Sequence, residues 1–69
     1  MEKDLLKLIG RNIKAERVRK GYSQEQMAEL AETTRRTVSL VESGLQHPKF
    51  LLVVRFSHVL DVDINKFLV

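Results

Sequence analysis

Residues 23–43 constrain the fold more than any other part of the chain, because they predict two short amphipathic helices separated by a tight break. Ser23 is a typical helix N-cap, and Gln26 follows it at the spacing of a capping box. A second cap, Thr34, precedes a segment in which Val38 and Val41 recur at helical spacing. The helix that begins at Ser23 is therefore short, and we expect it to brace the helix that follows Thr34 at a steep angle.

The remainder of the chain is also predicted to be helical, since no segment alternates β-branched and polar residues between turn signals. We expect a first helix from residue 3 or 4 to residue 19, a fourth over about 50–60 and a short fifth over 64–68. The expected fold class is all-α, a compact five-helix bundle that forms one domain over residues 1–69.

Apolar spacing predicts which side chains meet in the core of this bundle. Gly10 lies inside the first helix, where it costs about 1 kcal/mol relative to Ala, so it indicates a close helix crossing. The side chains expected to face inwards are Leu6, Ile9, Ile13, Met27, Ala28, either Leu30 or Ala31, Val38, Val41, Val53, Phe56, Ser57 and Leu60, with Phe50 at the start of the inward face of the fourth helix.

The charge distribution is more informative than the net charge of +3. Residues 1–20 contain seven basic and three acidic side chains, a net charge of +4, whereas residues 21–44 contain two arginines and four glutamates, a net charge of −2. Arg35 and Arg36 are the only cations of residues 21–44, and they are the first residues of the predicted helix that follows Thr34. Their position therefore does not follow from a generally basic composition.

Several classes of protein are disfavoured by composition. The chain has no cysteine, which excludes disulfides and thiolate metal sites, and it has no apolar run long enough to span a bilayer. The start of the chain lacks the apolar core of a signal peptide, so we expect a cytoplasmic protein. No nucleophile–base pattern, acid pair or glycine-rich phosphate loop is present, and we assign no catalytic residue, metal or cofactor.

The order and spacing of many individually weak residues resemble the phage-repressor and Cro-type helix-turn-helix family, also called the xenobiotic-response-element family. The match covers roughly residues 9–68. The residues that carry it are Ile9, Gly10, Ile13, Arg17, Gly21, Ser23, Gln24, Met27, Ala28, Thr34, Val38, Ser39, Val41, Glu42, Gly44, Pro48, Leu60 and residues 62–68. The resemblance implies a five-helix bundle that binds a near-palindromic DNA operator as a homodimer.

One position departs from the family pattern. The turn between helices two and three usually contains glycine where this chain has Glu32. If the turn is conserved in shape, Glu32 must adopt a left-handed conformation at a cost of about 1 kcal/mol.

The helix over residues 34–43 is the expected recognition helix, which enters the DNA major groove. Arg35 and Arg36 are the candidate base contacts, because a guanidinium matches the two acceptors of guanine, and the resemblance places base contacts at both positions. Ser39 can donate to a base or a phosphate, and Leu40 can meet a thymine methyl. The alternatives are that one arginine binds only phosphate and that Leu40 packs at the rim of the helix.

Phosphate contacts are expected around this helix. Gln24 begins helix two, where free amides attract phosphate, and the resemblance implies that it also braces the recognition helix. The other candidates are Thr34, Thr37, Ser43 and Lys49. The alternatives are that Thr34 only caps the helix and that Lys49 is a solvated surface lysine.

Two further groups have expected structural roles. By the resemblance, Arg17 and Glu42 form an ion pair between helix one and the end of helix three. The candidate dimer interface consists of Leu52, Val59, Phe67 and Val69, since the last third of the chain is more apolar than a small monomer covers easily. The alternative is that these side chains fill the core.

Two candidate functions are compatible with these features of the sequence. The first is a DNA-binding transcription regulator that acts as a homodimer on double-stranded DNA. The second is a protein-interaction module, such as the antitoxin partner of a toxin, for which DNA binding is secondary.

Overall fold

Four α-helices and one 3-10 turn make up the computed structural model, which describes all 69 residues. The helices are α1 (Glu2–Lys20), α2 (Gln24–Leu30), α3 (Arg35–Glu42) and α4 (Phe50–Leu60), and the 3-10 turn spans Ile64–Leu68. None of the helices combines the length and apolar character that crossing a membrane requires.

The expected fifth α-helix is a 3-10 turn, so the prediction of five α-helices is corrected to four. Asp63 caps the segment by accepting a hydrogen bond from the Asn65 amide at 2.8 Å, as predicted. The Lys66 amide then bonds to the Asp63 carbonyl at 2.9 Å, which is the i→i+3 pattern of a 3-10 helix. Five residues suffice for this tighter pattern but gain little from α-helical bonds.

The ends of α1 and α2 follow from local sequence. Gly21 ends α1 in the left-handed conformation, with φ of 81°. Ser23 and Gln26 form the predicted capping box, in which the Ser23 hydroxyl accepts from the Gln26 amide and the Gln26 side chain accepts from the Ser23 amide. These two signals therefore set the short break between α1 and α2.

The turn between α2 and α3 contains a residue in the left-handed conformation. Glu32 adopts φ of 58°, the left-handed conformation that glycine would adopt without strain. The Thr33 amide bonds back to the Ala28 carbonyl at 2.8 Å, and Thr34 caps α3 by accepting from the Thr37 amide at 3.1 Å. These bonds set the short turn between α2 and α3.

The core lies where α1, α3 and α4 meet over α2. It consists of Ile13, Met27, Ala28, Ala31, Val38, Val41, Phe56, Leu60 and Phe67. Ala31 faces inwards rather than Leu30, which is 53 % exposed. Phe67 is only 1 % exposed, so its assignment to the dimer interface is wrong; its ring fills the space between the 3-10 turn and α1.

Gly10 marks the predicted close crossing of α1 over the end of α3. A Cβ at this position would lie 2.7 Å from the carbonyl oxygen of Glu42 and would also clash with that of Val41. No side chain fits at this contact, so glycine allows the two helix backbones to touch.

Candidate nucleic-acid interface

Helix α3, the predicted recognition helix, presents one face to the core and the opposite face to solvent. Val38, Val41 and Glu42 are buried, which fixes the rotation of the helix. At 3.6 residues per turn, Arg36, Leu40 and Ser43 lie on the side away from Val38 and Val41, whereas Arg35 and Ser39 lie on the flank next to Glu42, and Thr37 lies on the other flank. All the candidate base contacts therefore share the outer half of one helix.

Arg35 and Arg36 are exposed, and neither takes part in a salt bridge. They occupy the first two positions of α3, directly after its cap Thr34. Their guanidinium donors are thus free for a ligand. Ser39 and Leu40, one turn further along, are half-buried, so they project less far from the surface.

A buried carboxylate ties α3 to α1 and α2. Glu42 accepts hydrogen bonds from Arg17 Nε at 2.7 Å and Nη2 at 3.1 Å, and from Gln24 Nε2 at 3.0 Å. Arg17 Nη1 also donates to the Tyr22 carbonyl at 2.7 Å. Both charged residues are 8 % exposed, so the pair is shielded from water. The carboxylate at the end of α3 is therefore bonded both to α1, through Arg17, and to the first residue of α2, Gln24.

The hydroxyl groups around α3 differ in what they can still offer to a phosphate. Thr34 Oγ1 accepts from the Thr37 amide and donates to Thr37 Oγ1 at 3.0 Å, so its single proton is already used. The Ser43 hydroxyl donates to the Ser39 carbonyl at 2.8 Å and must rotate before it can donate elsewhere. Thr37 keeps its own hydroxyl proton free. Among these hydroxyls, Thr37 is the best placed donor.

Lys49 lies beside α3 across a polar hollow of about 350 Å³. It is the N-cap of α4, is exposed and forms no salt bridge. Thr37 and Arg55 line the same hollow, as does the acidic Glu32. The sequence analysis did not single out Arg55, because only the packing of α4 against the α2–α3 turn brings it near α3.

The remaining dimer candidates have different environments. Leu52 and Val59 are half-buried and pack against the core, whereas Val69 is 82 % exposed. The largest exposed aromatic surface belongs instead to Phe50, at 78 %. It borders two adjoining apolar hollows of about 290 and 300 Å³ between α1, α4 and the 3-10 turn. We call this the Phe50 groove; its lining includes Leu5, Ile9, Phe50, Val53, Ile64 and Leu68.

No group of three or more histidine, aspartate or glutamate side chains is arranged to hold a metal ion. The polar side chains that the fold does bring together are those around α3, described above.

The fold has counterparts among solved structures. The restriction-modification controller protein C.AhdI from Aeromonas hydrophila superimposes with a TM-score of 0.88 and 29 % identity, covering 96 % of this chain and 94 % of that one. A hypothetical transcription factor, NHTF, from Neisseria superimposes with a TM-score of 0.89 and 29 % identity, covering 100 % of this chain and 79 % of that one. No curated protein is significantly similar in sequence.

A helix-turn-helix family model matches residues 13–67, which include α2, α3, α4 and the last eight residues of α1. The chain therefore belongs to the Cro/C1-type helix-turn-helix family, whose members are DNA-binding regulators.

Proposed function

We propose that this protein is a sequence-specific transcription regulator that inserts residues 34–43 into the major groove of an operator. The observation that carries the proposal is the outer side of α3, where Arg35 and Arg36 are exposed without salt-bridge partners. The inner side of the helix is held by the core and by Glu42. A rigid helix with free arginines at its N-terminal end suits direct readout of bases.

Within this interface the residues have different tasks. Arg35 and Arg36 bind guanine edges, and Ser39 and Leu40 make shorter contacts one turn further along. Each good bidentate arginine–guanine pair discriminates against another base by about 1–3 kcal/mol.

Phosphate contacts fix how the recognition helix sits in the groove. Gln24, Thr34, Thr37, Ser43 and Lys49 surround α3, and we assign the backbone contacts to them. Gln24 is the best supported, because the carboxylate of Glu42 holds its side chain beside the N-terminus of α2. Lys49 supplies the salt-dependent part of the affinity.

We further propose that the protein binds a near-palindromic operator as a homodimer in the cytoplasm. The Phe50 groove supports this, because a projecting Phe50 ring beside an apolar hollow is the self-complementary shape that a two-fold interface needs. Val69 extends the same apolar surface next to Leu68. Two recognition helices would then lie about 34 Å apart, one DNA turn.

Selection of bound sites from random double-stranded DNA tests the function directly. We expect an enriched two-fold sequence, bound with steep salt dependence and about 10³-fold or more tighter than a scrambled duplex. Equal affinity for enriched and scrambled duplexes would refute sequence-specific regulation.

The exposed Phe50 groove also supports a second candidate, a protein-interaction module of the antitoxin type. It predicts a stable heteromeric complex through that groove and weak DNA binding without sequence preference. The free arginines of α3 favour the first candidate.

A further inference from the structure

Four cations of α1 lie on one side of the helix: Lys3, Lys7, Arg11 and Lys14. At 3.6 residues per turn they fall within about 80° of the helix circumference, and Lys3, Lys7 and Arg11 follow one another at intervals of about 6 Å along the axis. All four are exposed, and none forms a salt bridge. We call this set the α1 basic stripe.

The α1 basic stripe differs from two of the three other cations of the same helix, whose charges are used within the fold; the third, Lys20, lies in the last turn, where the helix dipole favours a cation. Arg17 is buried against Glu42, and Arg19 pairs with Glu16. The stripe therefore has no salt-bridge partner in this chain, although other residues of the same helix form ion pairs with Glu42, within α1 and with His47.

The stripe adjoins the recognition helix. Gly44 directly follows the end of α3, and a Cβ placed on it would lie 2.9 Å from Lys7 Cγ and 3.1 Å from Lys7 Cα. Gly10, between Lys7 and Lys14, touches the Val41 and Glu42 carbonyls. At Lys7 the stripe therefore meets the C-terminal end of α3, next to Ser43 of the candidate DNA-contacting surface.

Stability of the isolated fold does not account for these four charges. Lys7 gains from the partial negative charge at the C-terminus of α3. Lys3, however, lies in the first turn of α1, where a cation opposes the helix dipole. Arg11 and Lys14 have no acidic partner, and like charges one turn apart repel each other. An external polyanion would relieve this repulsion.

We propose that the α1 basic stripe binds the sugar-phosphate backbone of the duplex that α3 contacts, beyond the half-site, without sequence preference. The proposal rests on the proposed function, since it takes its partner from the continuity of the two surfaces. Duplex DNA presents one phosphate per about 3.4 Å of each strand, so a row of cations can neutralise several at once.

The test compares two variants with the same loss of charge. Arg11→Gln/Lys14→Gln removes half of the stripe, and Arg19→Gln/Lys66→Gln removes two exposed cations elsewhere. Lys7 is left unchanged because it packs against Gly44. Affinity is measured from about 50 to 200 mM salt for random-sequence duplexes of about 20 and 40 base pairs, and circular dichroism checks that both variants stay folded.

We expect the salt slope on the longer duplex to fall by about 1.8 units in the stripe variant, about 0.9 for each lost contact, and to stay unchanged in the control. On the shorter duplex the difference between the variants should shrink. Equal slopes for the two variants on both duplexes would overturn the proposal. The proposal would also be overturned if the stripe variant lost binding to anionic phospholipid vesicles while its salt slopes on both DNA duplexes stayed unchanged.

The two proposals fail separately. If site selection enriches a sequence but the stripe variant behaves like the control, the proposed function stands and the stripe contact falls. If no sequence is enriched but the slopes differ as expected, the stripe contact stands and sequence-specific regulation falls.

Discussion

Replacing Glu42 by alanine should destabilise the protein more than any change at an exposed glutamate. The substitution removes the acceptor of three hydrogen bonds, two from Arg17 and one from Gln24. It leaves the Arg17 guanidinium 8 % exposed, with only the bond to the Tyr22 carbonyl. Loss of one partner of a buried ion pair costs about 3–5 kcal/mol.

This cost is large for a chain of this size. A 69-residue domain is stable by roughly 3–10 kcal/mol, so the variant should lie near the limit of folding. We expect its melting temperature, followed by far-ultraviolet circular dichroism, to fall by at least about 12 °C.

Glu16→Ala is the matched control, because Glu16 pairs with Arg19 at the surface, where an ion pair contributes about 0–1 kcal/mol. The double change Arg17→Met/Glu42→Leu should recover much of the lost stability, since it leaves no buried charge unpaired. If Glu42→Ala and Glu16→Ala melt at the same temperature, the argument from burial is refuted.

Four further outcomes are expected. Arg35→Ala or Arg36→Ala should cost about 1–3 kcal/mol of specific binding in a gel-shift titration, while affinity for a scrambled duplex stays nearly constant. Lys49→Ala should weaken binding to all duplexes and lower the salt slope by about 0.9. Gly10→Ala should lower the free energy of unfolding in urea by about 1–3 kcal/mol, because the new methyl group forces the crossing apart. Phe50→Asp should shift sedimentation at micromolar concentrations towards the monomer.

Each of these outcomes has a control or a contrary result. Arginine variants that weaken specific and scrambled duplexes equally would make the arginines phosphate contacts. Lys66→Ala serves as the control for Lys49→Ala. An unchanged salt slope in both variants would show that Lys49 does not contact the DNA backbone. A stabilising Gly10→Ala, as helix propensity alone predicts, would contradict the close crossing. Val18→Asp, at another exposed apolar position, should leave self-association unchanged.

The elements that sequence predicted well are those set by nearby residues. Ser23, Gln26 and Thr34 act within one turn of themselves, so their caps and the ends of α2 and α3 follow from short-range chemistry. For Glu32 the sequence left two outcomes open, a left-handed residue or a slightly different turn, and the structure has the left-handed residue.

The features that sequence misplaced depend on distant parts of the chain. Phe67 looks like surface in a terminal apolar stretch, yet it enters the core against α1, more than fifty residues away in sequence. The choice between Leu30 and Ala31, by contrast, follows from helical phase, because Ala31 lies one turn after Met27 and Ala28 whereas Leu30 lies about 100° away from Ala31 around the helix. The α1 basic stripe could be counted from sequence, but its position beside α3 required the fold.

The way in which the 3-10 turn docks has a kinetic consequence. Asn12 Nδ2 donates to the carbonyls of Phe67 and Val69, both at 3.0 Å, and so closes a loop of 55 residues or more. Contacts so far apart in sequence form late in folding, whereas α2 and α3 assemble locally. Amide hydrogen exchange should therefore show the 3-10 turn opening ahead of the helix-turn-helix unit.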